Sequence, residues 1–81
     1  MSLIERITDH IVAQYLGGDA SELGPDTALL ELNVIDSASI FDIVRFLGES
    51  EGVPIPIEEL SAENFATIRA IAALVERLRG S

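Results

Sequence analysis

The chain has no cysteine and no lysine, and only one histidine. Lacking thiols, it cannot form disulfides, thiolate metal sites or a cysteine nucleophile. Lacking lysine, it has five arginines to set against 14 acidic residues, a formal net charge of −9. Nucleic acid and anionic lipid both need neutralising cations, so neither is an expected partner. Long apolar runs are also missing. Hydrophobic residues make up 48% of the chain, yet no stretch is long enough to span a bilayer. Met1-Ser2-Leu3-Ile4-Glu5-Arg6 meets an acid at once, unlike a secretory leader. A cytoplasmic address follows as the expectation. The 81 residues suffice for one domain with a modest core.

What is present is helical periodicity. Ser2-Leu3-Ile4-Glu5 has the form of a capping box. Leu3, Ile4, Ile7, Ile11, Val12, Tyr15 and Leu16 then recur at helical spacing until Gly17-Gly18 stops the pattern. The first helix is expected over about 3–16. A long connection, 17–36, follows. Leu23, Leu29, Leu30, Leu32 and Ile35 are placed to pin it to the core, and Pro25-Asp26-Thr27 can start a short helical turn over 28–32. Asp36 is a good N-cap for a second helix over about 37–51. Its inward face carries Ile40, Ile43, Val44 and Leu47, flanked by Phe41 and Phe46. Ala38, Asp42, Arg45 and Glu49 share the opposite face. Pro54 and Pro56 prevent a central strand. Ser61-Ala62-Glu63-Asn64 can cap a short helix over about 61–65, anchored by Phe65. Thr67 caps a last helix over about 67–79, with Ile68, Ile71, Ala72, Val75 and Leu78 inward. The sum is an all-α four-helix bundle: three main helices, one short one before the last, and a long first loop.

Three chemistries compete for these residues. Serine hydrolysis requires a base, and His10 is the single candidate for Ser37; the simpler reading is a surface histidine. Asp19, Glu22 and Asp26 offer oxygen ligands in one loop, but not at the spacing of an EF-hand, so no metal site is expected. Acid pairs such as Glu58-Glu59 and Glu49 with Glu51 read as solvated surface. The third possibility is modification of Ser37. A helix start offers unpaired N–H groups and a partial positive charge, which tolerate a phosphoester. Local chemistry alone favours Asp36 and Ser37 as caps only.

The wider arrangement shifts that balance. Leu32-Asn33-Val34-Ile35-Asp36-Ser37-Ala38 resembles the attachment motif of the acyl carrier and peptidyl carrier proteins. Asp26-Thr27-Ala28-Leu29-Leu30 is similar to the family's approach to that loop, and Phe65-Ala66-Thr67-Ile68-Arg69-Ala70-Ile71 to its approach to the final helix. The resemblance covers nearly the whole chain. It implies a non-enzymatic, free-standing and monomeric carrier. Ser37 would bear 4′-phosphopantetheine transferred from coenzyme A by a phosphopantetheinyl transferase, with Asp36 as cap and recognition residue. The arm would hold cargo as a thioester, loaded by an adenylating ligase or acyltransferase and passed to a condensing or transferring enzyme. Partners would dock at Ala38, Asp42, Arg45 and Glu49. The Asn64-Phe65 pair and the approach to Ser37 look more like aminoacyl and D-alanyl carriers than fatty acid carriers, pointing to polyketide or nonribosomal-peptide metabolism. Carriers for fatty acid synthesis or cell-wall D-alanylation, and an unmodified acidic adaptor, are the alternatives. Two positions depart from the family pattern. Ala38 stands where leucine or methionine is usual, and Arg45 brings positive charge to a face often acidic or apolar.

Overall fold

The computed structural model describes residues 2–18 and 23–80. Ordered along the chain are α1 (Leu3–Tyr15), α2 (Ser37–Ser50), a 3-10 helix (Ile57–Glu59) and α3 (Ile68–Arg79). The all-α architecture agrees with the sequence. Each long helix starts on the side chain expected to cap it. Ser2 Oγ accepts the Glu5 N–H and Glu5 Oε1 accepts the Ser2 N–H, completing the capping box. Asp36 accepts from the Ser39 N–H, and Thr67 from the Ala70 N–H.

The core lies where the three helices meet the long loop. Leu3, Ile7 and Ile11 come from α1, Ile43 and Leu47 from α2, and Ile68, Ile71, Ala72, Leu74 and Val75 from α3. Leu29, Ile35, Val53 and Phe65 fill the space between them. Burial of each large apolar side chain stabilises the fold by about 1.5–3 kcal/mol. Leu23 and Leu30 pack at the edge of this core. Leu32, expected to pin the loop, is instead exposed. The turn faces Leu29 and Leu30 inward and leaves Leu32 at its outer edge.

That turn delivers the chain to α2. The Leu32 N–H donates to the Ala28 carbonyl at 3.0 Å. Asn33 then adopts a left-handed backbone with φ 57. Its N–H donates to Leu30 O, and the Val34 N–H to Leu29 O at 2.9 Å. This is the Schellman pattern, ending a single helical turn over 28–32.

The short helix expected over 61–65 is not found there. Turns occupy 62–65, and the helical turn lies earlier, at Ile57–Glu59. The reason is local competition. Ser61 Oγ accepts the Asn64 N–H, and Asn64 Nδ2 donates to the Glu59 carbonyl, offering this stretch an alternative to the helical ladder. Pro56, with φ −63, instead starts the 3-10 turn, closed by the Glu59 N–H on Pro56 O.

One carboxylate joins three helix ends. Glu51 is the C-cap of α2, and its side chain is 4% exposed. Arg6 of α1 donates to both of its oxygens at 2.7 Å, and Arg79 of α3 donates to one at 2.9 Å. The Arg6 bond, followed by those from Arg79 and Ser50, outweighs burial and holds the Glu51 carboxyl down at about 2. A depressed carboxylate stabilises the fold above its unfolded pKa, and that contribution is lost as pH falls from about 4.5 toward about 2.

Two outcomes follow. Glu51→Gln is expected to cost on the order of 2 kcal/mol at pH 7 in denaturant titrations, the scale of hydrogen bonds to a charged group. Its deficit against the unaltered chain should shrink as pH falls toward 2; a deficit independent of pH would contradict the clasp. Asn33→Val, forcing a β-branched residue to positive φ, is expected to cost about 1–2 kcal/mol and to lower Tm by at least about 4 °C. Asn33→Gly should leave Tm nearly unchanged.

Candidate functional site

Ser37 is the first residue of α2 and is exposed. No hydrogen bond engages its hydroxyl among the described residues. Asp36, just before it, is extended at φ −128 and ψ −173. Its Oδ1 accepts from both the N–H and the Oγ of Ser39, each at 2.9 Å. The Ser39 N–H, then the Ser39 hydroxyl, hold the Asp36 carboxyl below the usual range. The cap is therefore ionised at neutral pH, and it ties down Ser39 while leaving Ser37 free.

The helix start also suits what a modified serine would carry. The first N–H groups of a helix lack intrahelical partners, and the helix dipole adds partial positive charge. A phosphodiester on Ser37 Oγ would sit beside both. The residues present thus fit a phosphopantetheine: an accessible nucleophilic oxygen, an anion-tolerant helix end and open space.

The other predicted face residues divide. Ala38, Arg45 and Glu49 are exposed. Arg45 and Glu49 form a loose i,i+4 ion pair at 3.7 Å, a geometry that contributes little in water. Asp42 leans toward α1. Its Oδ2 accepts the Tyr15 hydroxyl at 2.6 Å and lies 3.0 Å from His10 Nε2. The Tyr15 bond first, and His10 second, lower its pKa. Tyr15 is pushed up to about 12, by burial first and by the Asp42 bond next, so it remains a donor. A polar chain thus links α1 to the second turn of α2.

His10 is not the surface residue expected. Its side chain is 14% exposed and stacks on Phe46, with ring centroids 4.0 Å apart. It is engaged by Asp42, and no hydrogen bond joins it to Ser37 among the described residues. In the loop that offers oxygen ligands, where no metal site is expected, Asp19 and Glu22 lie outside the described residues, and Asp26 is engaged by Arg69 at 2.7 and 3.1 Å. Glu59 pairs with Arg77 rather than standing as free surface beside Glu58.

Sequence reading missed Phe41. Placed there as a flank of the core, it is 63% exposed. It lies four residues after Ser37, one turn along the same helix face. That spacing was the available signal: a residue at i+4 from an exposed serine shares its exposure. Ile57 on the 3-10 helix is a further exposed apolar side chain.

Residues 5–75 match the family model described as "Phosphopantetheine attachment site". The chain is 43% identical over 77 residues to the "Probable acyl carrier protein PigG" of Serratia sp. (strain ATCC 39006), covering 95% of this chain and 88% of that protein. It is 32% identical over 66 residues to the "Acyl carrier protein" of Helicobacter hepaticus (strain ATCC 51449 / 3B1), covering 82% and 84% respectively. A chain from the "Crystal structure of FAD-dependent dehydrogenase" superposes with a TM-score of 0.75 at 35% identity, covering 84% of this chain and 96% of that one. Among the described residues no helix is long and apolar enough to cross a membrane. An exposed serine on a capped helix start and this set of relatives lead to one conclusion: the chain belongs to the phosphopantetheine-binding acyl carrier proteins, which carry cargo for other enzymes and catalyse no reaction themselves.

Proposed function

We propose that Ser37 is the attachment point and that the chain serves cytoplasmic polyketide- or nonribosomal-peptide-type metabolism, loaded by an adenylating ligase. The observation that carries the attachment reading is the Ser37 hydroxyl, exposed at the first position of α2 and without a hydrogen bond among the described residues. In the transfer, Ser37 Oγ bonds to the phosphorus of coenzyme A's phosphopantetheine and the bond to the nucleotide phosphate breaks. The serine proton goes to a base on the transferase. Asp36 fixes the backbone that presents Ser37 and offers its exposed carboxylate to the transferase's metal site. The relative's printed name, an acyl carrier protein of Serratia, supports the biosynthetic setting.

Docking is assigned to the surface around Ser37: Ala38, Asp42, Arg45 and Glu49, with exposed Phe41 as its apolar anchor. A leucine at position 38 would bring a larger knob, and burying one such side chain is worth ~1–3 kcal/mol. Arg45 repels a basic partner surface. Together these residues select a dedicated partner over a generic one. The likeness to a chain from a structure described as an FAD-dependent dehydrogenase favours a flavoenzyme among those partners. Its chemistry would take a hydride from the tethered acyl group to flavin and a proton to a base of that enzyme, leaving a double bond in the cargo.

Incubation with coenzyme A and a broad-specificity phosphopantetheinyl transferase is expected to add one arm by intact mass, and Ser37→Ala to abolish the gain. No gain with several transferases would favour the acidic adaptor. Ala38→Leu combined with Arg45→Glu should widen the range of enzymes that load the arm, by at least about tenfold for a generic partner, equivalent to about 1.4 kcal/mol. Unchanged partner choice would contradict the selective role of this face.

A further inference from the structure

The groove between α1 and α2 has no part in capping or attachment. It measures about 410 Å³, and its walls include His10, Asp42, Arg45, Phe46 and Glu49. A hollow of about 330 Å³ shares His10 and Phe46 with it and extends to Asp9. Its floor is aromatic, because His10 and Phe46 stack at an interplanar angle of 13°. Its rim carries two carboxylates, Asp42 and Glu49, with Arg45 between them, and Arg6 lines the adjoining hollow. Asp42 uses Oδ2 for both Tyr15 and His10, so Oδ1 makes no hydrogen bond among the described residues, and the side chain is 44% exposed. Glu49 is paired loosely with Arg45 at 3.7 Å, both side chains being exposed, so a better-placed cation can displace the arginine.

The groove is also within reach of the arm. Asp42 lies about 7.5 Å along the α2 axis from Ser37, and Glu49 about 18 Å. An extended phosphopantetheine chain covers this span. Ala38 lies roughly 100° around the helix from Ser37, on the side that leads to Asp42. Its methyl leaves this passage low, where a leucine would stand across it.

We infer that the α1–α2 groove receives the arm's acyl cargo when that cargo bears an ammonium group. The cation sits against the Asp42 and Glu49 carboxylates, and the carbon skeleton lies on the His10–Phe46 floor. A neutral acyl group of the same shape gains only the apolar contact. The inference rests on Ser37 as the attachment point, and its test separates the two.

The test loads the full chain from coenzyme A analogues that carry glycyl or propionyl in amide linkage. These groups match in shape and differ in charge. Intact mass first establishes loading at Ser37; no gain would overturn the attachment reading and this inference with it. With both arms in place, the glycyl arm is expected to shift the Asp42, Phe46 and Glu49 NMR signals and to show contacts from its terminal methylene to the Phe46 ring. The propionyl arm, held by the apolar contact alone, should shift these signals several-fold less. Asp42→Asn also alters the contacts with Tyr15 and His10, so Glu49→Gln is the cleaner variant; it should reduce the glycyl shifts several-fold, and Ala38→Leu should remove them. Identical shifts for the two arms, or glycyl shifts confined to Phe41, would overturn the groove while leaving the attachment reading intact.

Discussion

The anchorage of Leu29 governs how Ser37 is presented. Its side chain is fully buried. Its N–H donates to the Ala66 carbonyl at 2.8 Å, just ahead of α3. Its own carbonyl accepts from Val34 at 2.9 Å and from Ile35 at 3.3 Å. One residue therefore fixes the long loop to the start of α3 and aims the segment that leads into α2. The Arg69 N–H on Pro25 O, at 2.9 Å, adds a second backbone tie to the same place. Ile35 is buried and Asp36 exposed, so the chain passes from core to surface within one residue. Ser37 emerges at the surface because its predecessors are held inside.

Charge is arranged around this frame rather than spread evenly. The arginines meet carboxylates: Arg6 and Arg79 at Glu51, Arg69 at Asp26, Arg77 at Glu59 and Arg45 at Glu49. Most of these pairs are exposed and add little stability. The Glu51 clasp differs because its carboxylate is shielded from water, and leaving that charge without a partner would be costly. With the scarce positive charge bound into contacts, the excess of acid defines the outer surface. Such a surface speeds encounter with basic partners more than it tightens the final complex. Arg45 is the exception, on the face nearest Ser37 and only loosely held.

The parts legible in the sequence were those set by near neighbours. Ser2, Asp36 and Thr67 cap helices because each bonds an N–H three residues on. The core stripes of α1 and α3 follow from helical period. The Asp-Ser pair with its flanking helices was enough to suggest the family that the comparisons establish. What escaped depends on contacts distant in sequence or on side-chain competition. Asp42 looked like surface because its partners, Tyr15 and His10, belong to another helix. Phe41 and Leu32 looked like core because residue type does not say which side of a helix or turn faces inward. The short helix was displaced by Asn64, whose side chain satisfies the Glu59 carbonyl.

The central claim is that a phosphopantetheine arm is borne by Ser37 and by no other residue. Tandem mass spectrometry of the tryptic peptide from Ile7 to Arg45, taken from protein isolated from its native host, tests it most directly. The account predicts a phosphopantetheine adduct localised to Ser37, with the cargo's mass still attached in part of the population. An unmodified peptide, or an adduct localised to Ser39 instead, would contradict it.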